Sequence, residues 1–233
     1  MKKLLLLLCT LLLGTASFAE QVYTTNELNM DNFWKARSLN ERRVQKITQV
    51  GYNLIYHNKL DRAPIRLGMN YTVINAFSEP IGKDVTINIA LLAYMDNDDE
   101  LAAVLAHELA HSMVAYDGLG KYMASKFNSK KYEFKSDLNG IDYMVKAGYN
   151  PIAAITIMNK ISSEPMLDWA SSHPKGSTRL LEMYKYIYTK YPKYLDSAMT
   201  NNVIYKSFLN SMDYEIKKFE QKQKKRQMKQ EEI

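Results

Sequence analysis

Between Asn40 and about Asn58 the apolar residues Val44, Ile47, Leu54 and Ile55 recur at helical spacing, and Pro64 ends that region. The rhythm then changes. PIRLGMN and TVINAF have strand character, and in DVTINIA the residues Val85, Ile87 and Ile89 alternate with Thr86 and Asn88. Together these stretches predict a small sheet of three or more strands, with the turn SEPIGKD joining the last two. Asn97, followed three residues later by Glu100, predicts a capping box that opens a helix running through AAVLAHELAHSMVAY and closing at Gly118 and Gly120. A further helix is predicted from about Lys131 to Lys146, stopping at Gly148, and Pro151 starts another after the cap Asn150. A loop holding SSHPKGS leads to the next helix, STRLLEMYKYIYTKY, and the segment from Asn202 onward is expected to form one long helix that becomes fully polar. No internal repeat is visible. The pattern is that of an α+β fold, mainly helical with a small sheet.

The N-terminus changes the picture of the domain boundaries. MKKLLLLLCTLLLGTASFAEQ places two lysines before an apolar run from Leu4 to Leu13, with Ser17 and Ala19 at the minus-three and minus-one positions of a cleavage site. It reads as a secretory signal peptide over residues 1–19, cut before Glu20, because the run is shorter than the ~20 apolar residues a membrane span needs. Cys9 follows three leucines and lies too early to be a lipidated residue, so no lipoprotein anchor is expected. Without Cys9 the mature chain has no cysteine, and any metal must be held by His, Asp and Glu. One domain is expected over residues 20–215, followed by a basic polar tail over 216–233.

Net charge is +6 overall. Removing Lys2 and Lys3 leaves +4, and the tail alone holds seven basic and three acidic residues. The body is therefore near neutral, which argues against nucleic acid as a partner of the folded domain. The tail is expected to be solvated, with weak attraction to a membrane surface as the alternative.

Candidate chemistry centres on His107 and His111. Four apart on a helix, their imidazoles project from one face and can reach a single ion, while Glu108 lies ~100° round from His107, close enough to act on a bound water without being a ligand. This is the metalloprotease arrangement, in which zinc lowers the pKa of its water towards ~7 and the glutamate takes the proton. Val114 and Asp117 stand where a metzincin needs Gly and His, so the third ligand comes from farther along. Glu133 and Asp137 are again four apart on one helical face, a pair that could equally be a solvated acidic surface. Lone His57 at a helix end reads as a surface residue.

The run VINAFSEP, then DVTINIALL, DDELAAVLAHELAH, EFKSD ahead of AGYNP, and SSHPKGSTR resembles, in order and over roughly residues 65–182, the zinc endopeptidase family that includes HtpX, BepA, LoiP and the CaaX prenyl protease. The resemblance implies a zincin-like gluzincin fold with the sheet beside the active-site helix and one Zn2+ per chain. It implies Glu133 as third ligand, Asp137 as support for a metal-binding histidine, and catalytic roles for Glu108 and for His173 and Arg179 of the HP loop. His173 and Arg179 are expected to face the cleft and bind developing negative charge, with a metal-capping, inhibitory His173 as the alternative of opposite sign. The chain departs from the family's pattern at Ser136, where Ala is usual, and in a short segment between His111 and Glu133.

Among candidate third ligands, Asp142 lies 2.5 turns from Glu133 and faces away, and His173 sits in a loop, where it could serve as an exchangeable ligand. The longer Glu133 is expected to reach the metal, and Asp137 to accept the outer N–H of a ligand histidine. Asn75, Ala76 and Phe77 are expected to form an exposed edge strand whose free backbone groups pair with an extended substrate. The expected function is a secreted, periplasmic zinc endopeptidase acting on unfolded or misassembled envelope proteins, in quality control. The alternative is a catalytically latent, zinc-containing binding or chaperone-like protein.

Overall fold

The computed structural model describes residues 30–61, 63–78, 84–116, 129–162, 176–196 and 198–231. The expected signal peptide with Cys9, residues 79–83 of the SEPIGKD turn, Gly118 and Gly120, and His173 with Pro174 lie outside the described residues. The chain divides into two compact units, residues 1–43 and 44–233. In the first, the described residues open helix α1 (Met30–Asn58), which starts ten residues before the apolar rhythm predicts. Within that opening Arg37 Nε lies 3.0 Å from Glu41 Oε1 and Arg43 Nη1 donates to Asn40 Oδ1 at 2.9 Å, contacts local to the helix.

In the second unit the rest of α1 is followed by β1 (Ile65–Gly68), β2 (Ala76–Ser78), β3 (Val85–Asn88), the short α2 (Ile89–Leu92), α3 (Asp98–Tyr116), α4 (Ser129–Lys146), α5 (Ile152–Ser162), α6 (Gly176–Lys190), α7 (Val203–Ser211) and α8 (Asp213–Glu231). The buried stripe of α1 is Ile47, Val50 and Leu54, whereas Val44 is exposed. The stripe meets the sheet closely enough that a Cβ on Gly51 would come within 2.7 Å of Ile65 Cγ1.

The three strands run in the order β1-β3-β2, with β1 parallel and β2 antiparallel to β3. Ala76 pairs with Ile87, and both are buried; Phe77 pairs with Thr86 on the opposite, open face. One side of the sheet therefore packs inward, and among the described residues β2 is an edge, beside α3.

Every residue from Leu101 to Ala110 is buried, so α3 runs through the interior, as its apolar character on all sides requires. Asn97 caps it, accepting from Glu100 N–H at 3.0 Å. The Glu100 carboxylate does not return to Asn97. It accepts from Asp96 N–H at 2.9 Å, from Lys160 Nζ at 2.8 Å and from Thr156 Oγ1 at 3.1 Å, which ties the start of α3 to α5. Helix α4 ends as predicted, with Gly148 in the left-handed region (φ 85°) and the Tyr149 N–H bonded to Met144 O at 2.9 Å. Asn150 then caps α5 through Ile152 N–H at 3.0 Å.

Two apolar clusters result. One joins α1, the sheet, α3, Met144 of α4 and Ala153, Ile157 and Ile161 of α5; the other joins Ile141 of α4 with Ile152, Ile155 and Met158 of α5, α6, α7 and Ile216 of α8. The expected single C-terminal helix is two, α7 and α8, parted at Met212, with α7 capped by Asn202. Packing also continues past the expected boundary at residue 215. Ile216 is buried, Phe219 meets the Tyr188 ring edge-on at 5.5 Å, and Tyr184 donates to Glu220 Oε1 at 2.5 Å. Among the described residues, no helix is long and apolar enough to cross a membrane.

Candidate metal centre

Helices α3 and α4 lie against each other, and small residues let them approach. Ser136 and Gly140 of α4 are buried in the seam; a Cβ on Gly140 would sit 3.2 Å from the His107 backbone nitrogen and 3.4 Å from the Ala106 carbonyl carbon. Across this seam α3 presents His107, Glu108 and His111, and α4 presents Glu133 and Asp137.

One donor atom each from His107, His111 and Glu133 lies within 4.8 Å of the others. The two Nε2 atoms are 3.0 Å apart, Glu133 Oε2 is 3.4 Å from His107 Nε2, and Glu133 Oε1 is 3.1 Å from His111 Nε2. Ligands ~2.0–2.1 Å from a tetrahedral zinc are separated by about 3.3 Å, so these donors fit such an ion in both chemistry and spacing. Two imidazoles and a carboxylate, with no thiolate, form the donor set of a catalytic rather than a closed structural zinc site.

Electrostatics follow from burial and neighbours. Burial alone would push His107 down, but the Asp137 and Glu133 carboxylates outweigh it and bring the metal-free imidazole up to about 9. His111 is held below its ordinary value by burial and by the neighbouring His107. Asp137 would be raised by burial, yet the Arg179 fork and His107 hold it below the usual carboxylate range. Asp137 Oδ1 lies 3.0 Å from His107 Nδ1, the outer nitrogen. Glu108 is buried beside the donors at 1% exposure.

Arg179 requires a correction. Instead of facing a cleft, it is 1% exposed, with Nε and Nη2 each 2.6 Å from the two Asp137 oxygens and Nη1 3.0 Å from Glu133 Oε2. A guanidinium fork matches a carboxylate in two-point contact, and two buried carboxylates outcompete solvent for it. Arg179 therefore supports the carboxylates from behind. Asp142, as expected, is elsewhere, bonded to Tyr186, Tyr191 and Lys190.

The edge strand also needs refinement. The Asn88 N–H bonds to Asn75 O at 3.0 Å, so by the alternation of an antiparallel ladder Asn75 and Phe77 turn their backbone groups towards β3. Ala76 and Ser78 point theirs to the free edge. Among the described residues, Ala76 of the three expected has its backbone groups without a strand partner on the outer side, and Ser78 joins it.

Two imidazoles, a carboxylate and an adjacent glutamate on crossed helices beside an edge strand are the parts of a metallopeptidase site. The family description "Peptidase family M48" matches residues 41–117 and 113–187, and the chain belongs to this family of metal-dependent proteases. Relatives include the Mitochondrial metalloendopeptidase OMA1 of Arabidopsis thaliana, 27% identical over 143 residues, covering 48% of this chain and 29% of the relative. The Beta-barrel assembly-enhancing protease of Escherichia coli K12 is 26% identical over 138 residues, covering 59% of this chain and 28% of the relative. The protein of the same name from Yersinia pestis is 40% identical over 69 residues, 29% of this chain and 14% of the relative. The chain thus spans under a third of the length of these relatives.

Proposed function

We propose that this chain is a zinc-dependent endopeptidase that cleaves extended or misfolded proteins. The convergence of His107 Nε2, His111 Nε2 and the Glu133 carboxylate beside Glu108 carries the reading. When bound there, zinc would acidify a water and polarise the scissile carbonyl. Glu108 takes the proton from the attacking water and passes it to the leaving amine. Asp137 orients His107, and Arg179 holds Asp137 and Glu133 in place. Ala76 and Ser78 bind the substrate main chain as an added strand, which reads no particular side chain and so suits unfolded sequences.

We place the work in the cell envelope, in protein quality control. The apolar run and small residues before Glu20 support export, and the Escherichia coli relative's name, Beta-barrel assembly-enhancing protease, supports an envelope setting. N-terminal sequencing of protein from a periplasmic fraction tests export, with Glu20 expected as the first residue.

Zinc content and casein degradation, measured for the wild type and for Glu108→Gln, test the chemistry. One zinc per chain is expected in both, with cleavage by the variant lower by ~10²–10⁴-fold. Near wild-type cleavage by Glu108→Gln would remove Glu108 as the base. A wild type that holds zinc and cleaves nothing would favour the latent binding protein.

A further inference from the structure

Among the described residues, helix α8 meets α6 through one of its faces. At 100° per residue, Ile216, Phe219, Glu220 and Gln223 share the side that meets α6. Roughly 120° away, Lys218, Lys222, Lys225, Arg226 and Lys229 fall within an arc of about 100°, and all five are exposed. From Gln221 to Gln230 the sequence holds no acidic residue. Among the described residues, no ion pair engages these five cations, whereas Lys217 on the flank is paired to Asp213 at 2.9 Å. Glu215, in the first turn, is the acidic residue that shares the arc. Tyr214 lies at the edge of the same arc, 70% exposed, with the Lys218 ammonium 5.7 Å from its ring centroid, and Met228, about four turns farther along and outside the arc, is 61% exposed.

We propose that this stripe is a docking surface for an anionic phospholipid bilayer. The stripe of cations runs from Lys218 to Lys229 along one exposed side of the helix, and such a stripe meets a plane of charged headgroups along most of its length. Tyr214 and Met228 supply the amphipathic and apolar contacts that settle at headgroup depth. A duplex nucleic acid is the weaker match. A helix that enters a major groove presents contacts to both walls, but here one flank is covered by α6, and the other carries as cations only Lys217, paired to Asp213, and Lys224. Because Ile216, Phe219 and Glu220 fix α8 to Tyr184 and Tyr188 of α6, the helix that also carries Arg179, docking would hold the metal centre close to the bilayer. The inference stands on charge placement and is independent of whether the centre cleaves peptides.

Flotation of the full mature chain with vesicles of phosphatidylcholine containing 30% phosphatidylglycerol, against vesicles of phosphatidylcholine alone, tests it. Binding is expected only to the anionic vesicles, and it should weaken at least tenfold between 50 and 300 mM salt, because exposed charges are screened over ~10 Å at 0.1 M. The variant K222Q/K225Q/R226Q/K229Q should bind at least tenfold more weakly while keeping the wild-type circular dichroism spectrum and melting temperature. Its four side chains lie outside the contacts with α6, so loss of the fold is not expected. As a second variant, Q221E/Q227E, off the stripe, should preserve most of the binding. Equal binding of the quadruple variant and the wild type would overturn the proposal. So would no preference for anionic vesicles, or tighter binding of duplex DNA than of vesicles under the same salt.

Discussion

Glu133 and Asp137 sit one helical turn apart on α4 yet meet different atoms of the same histidine: Glu133 approaches Nε2 of His107 at 3.4 Å, and Asp137 approaches Nδ1 at 3.0 Å. The difference separates their expected phenotypes. Glu133→Ala should abolish stoichiometric zinc, whereas Asp137→Asn should weaken affinity by only ~10–100-fold. Competition with a chromophoric chelator measures both, and tight zinc in Glu133→Ala with loss in Asp137→Ala would reverse the roles. Arg179 tests the support behind them. Arg179→Ala strands two buried carboxylates and should cost about 3–5 kcal/mol in urea unfolding. Arg179→Lys keeps the charge but loses the two-point fork, so it should recover only part of that loss. Full recovery by lysine would mean that charge alone matters at this position.

At the scale of elements, the α3–α4 seam sets the separation of the ligands. Gly140→Ala pushes a methyl group against backbone, which cannot rotate away, so the helices must part by tenths of an ångström. A loss of about 1–3 kcal/mol in stability is expected, together with weaker zinc binding, because both carboxylates ride on α4. Unchanged zinc affinity in a destabilised variant would show that the centre tolerates the shift. The seam also marks what the sequence makes visible. His107 and His111 are legible because i, i+4 spacing on a helix is local information, whereas for Glu133 and Asp137 the same spacing leaves a solvated acidic face equally open, and the family resemblance singles them out. The partnership of Arg179 with Asp137 crosses 42 residues and leaves no periodic trace. Which backbone groups of 75–78 face outward depends on strand register, and register belongs to the pairing, not to either strand alone. The break between α7 and α8 carries neither Gly nor Pro, so nothing in composition announces it.

For the molecule as a whole, the centre lies where helices from both apolar clusters meet: α3 packs in the first, α6 in the second, and α4 contributes to each. This arrangement predicts how stability responds to metal and pH. In chelated protein the His107 value is raised from 6.5 to about 9, so its stabilising contribution is full below about 6.5 and is lost as pH rises through about 9. Unfolding of chelated wild type at pH 6, 7.5 and 9 should show this decline, and His107→Gln should lack it; parallel curves would exclude a charged imidazole. Zinc affinity should run the other way and rise with pH over the same window, because the ion displaces that proton. The donors also come from either side of the stretch between His111 and Glu133. An ion shared between them closes a loop of about twenty residues, a constraint that for a covalent bridge is worth roughly 3 kcal/mol of unfolded-chain entropy. The ion would thus act as a reversible cross-link as well as a reagent. A chain cut once between residues 117 and 128 should stay assembled through gel filtration when loaded, and its halves should come apart more readily when the ion is withdrawn.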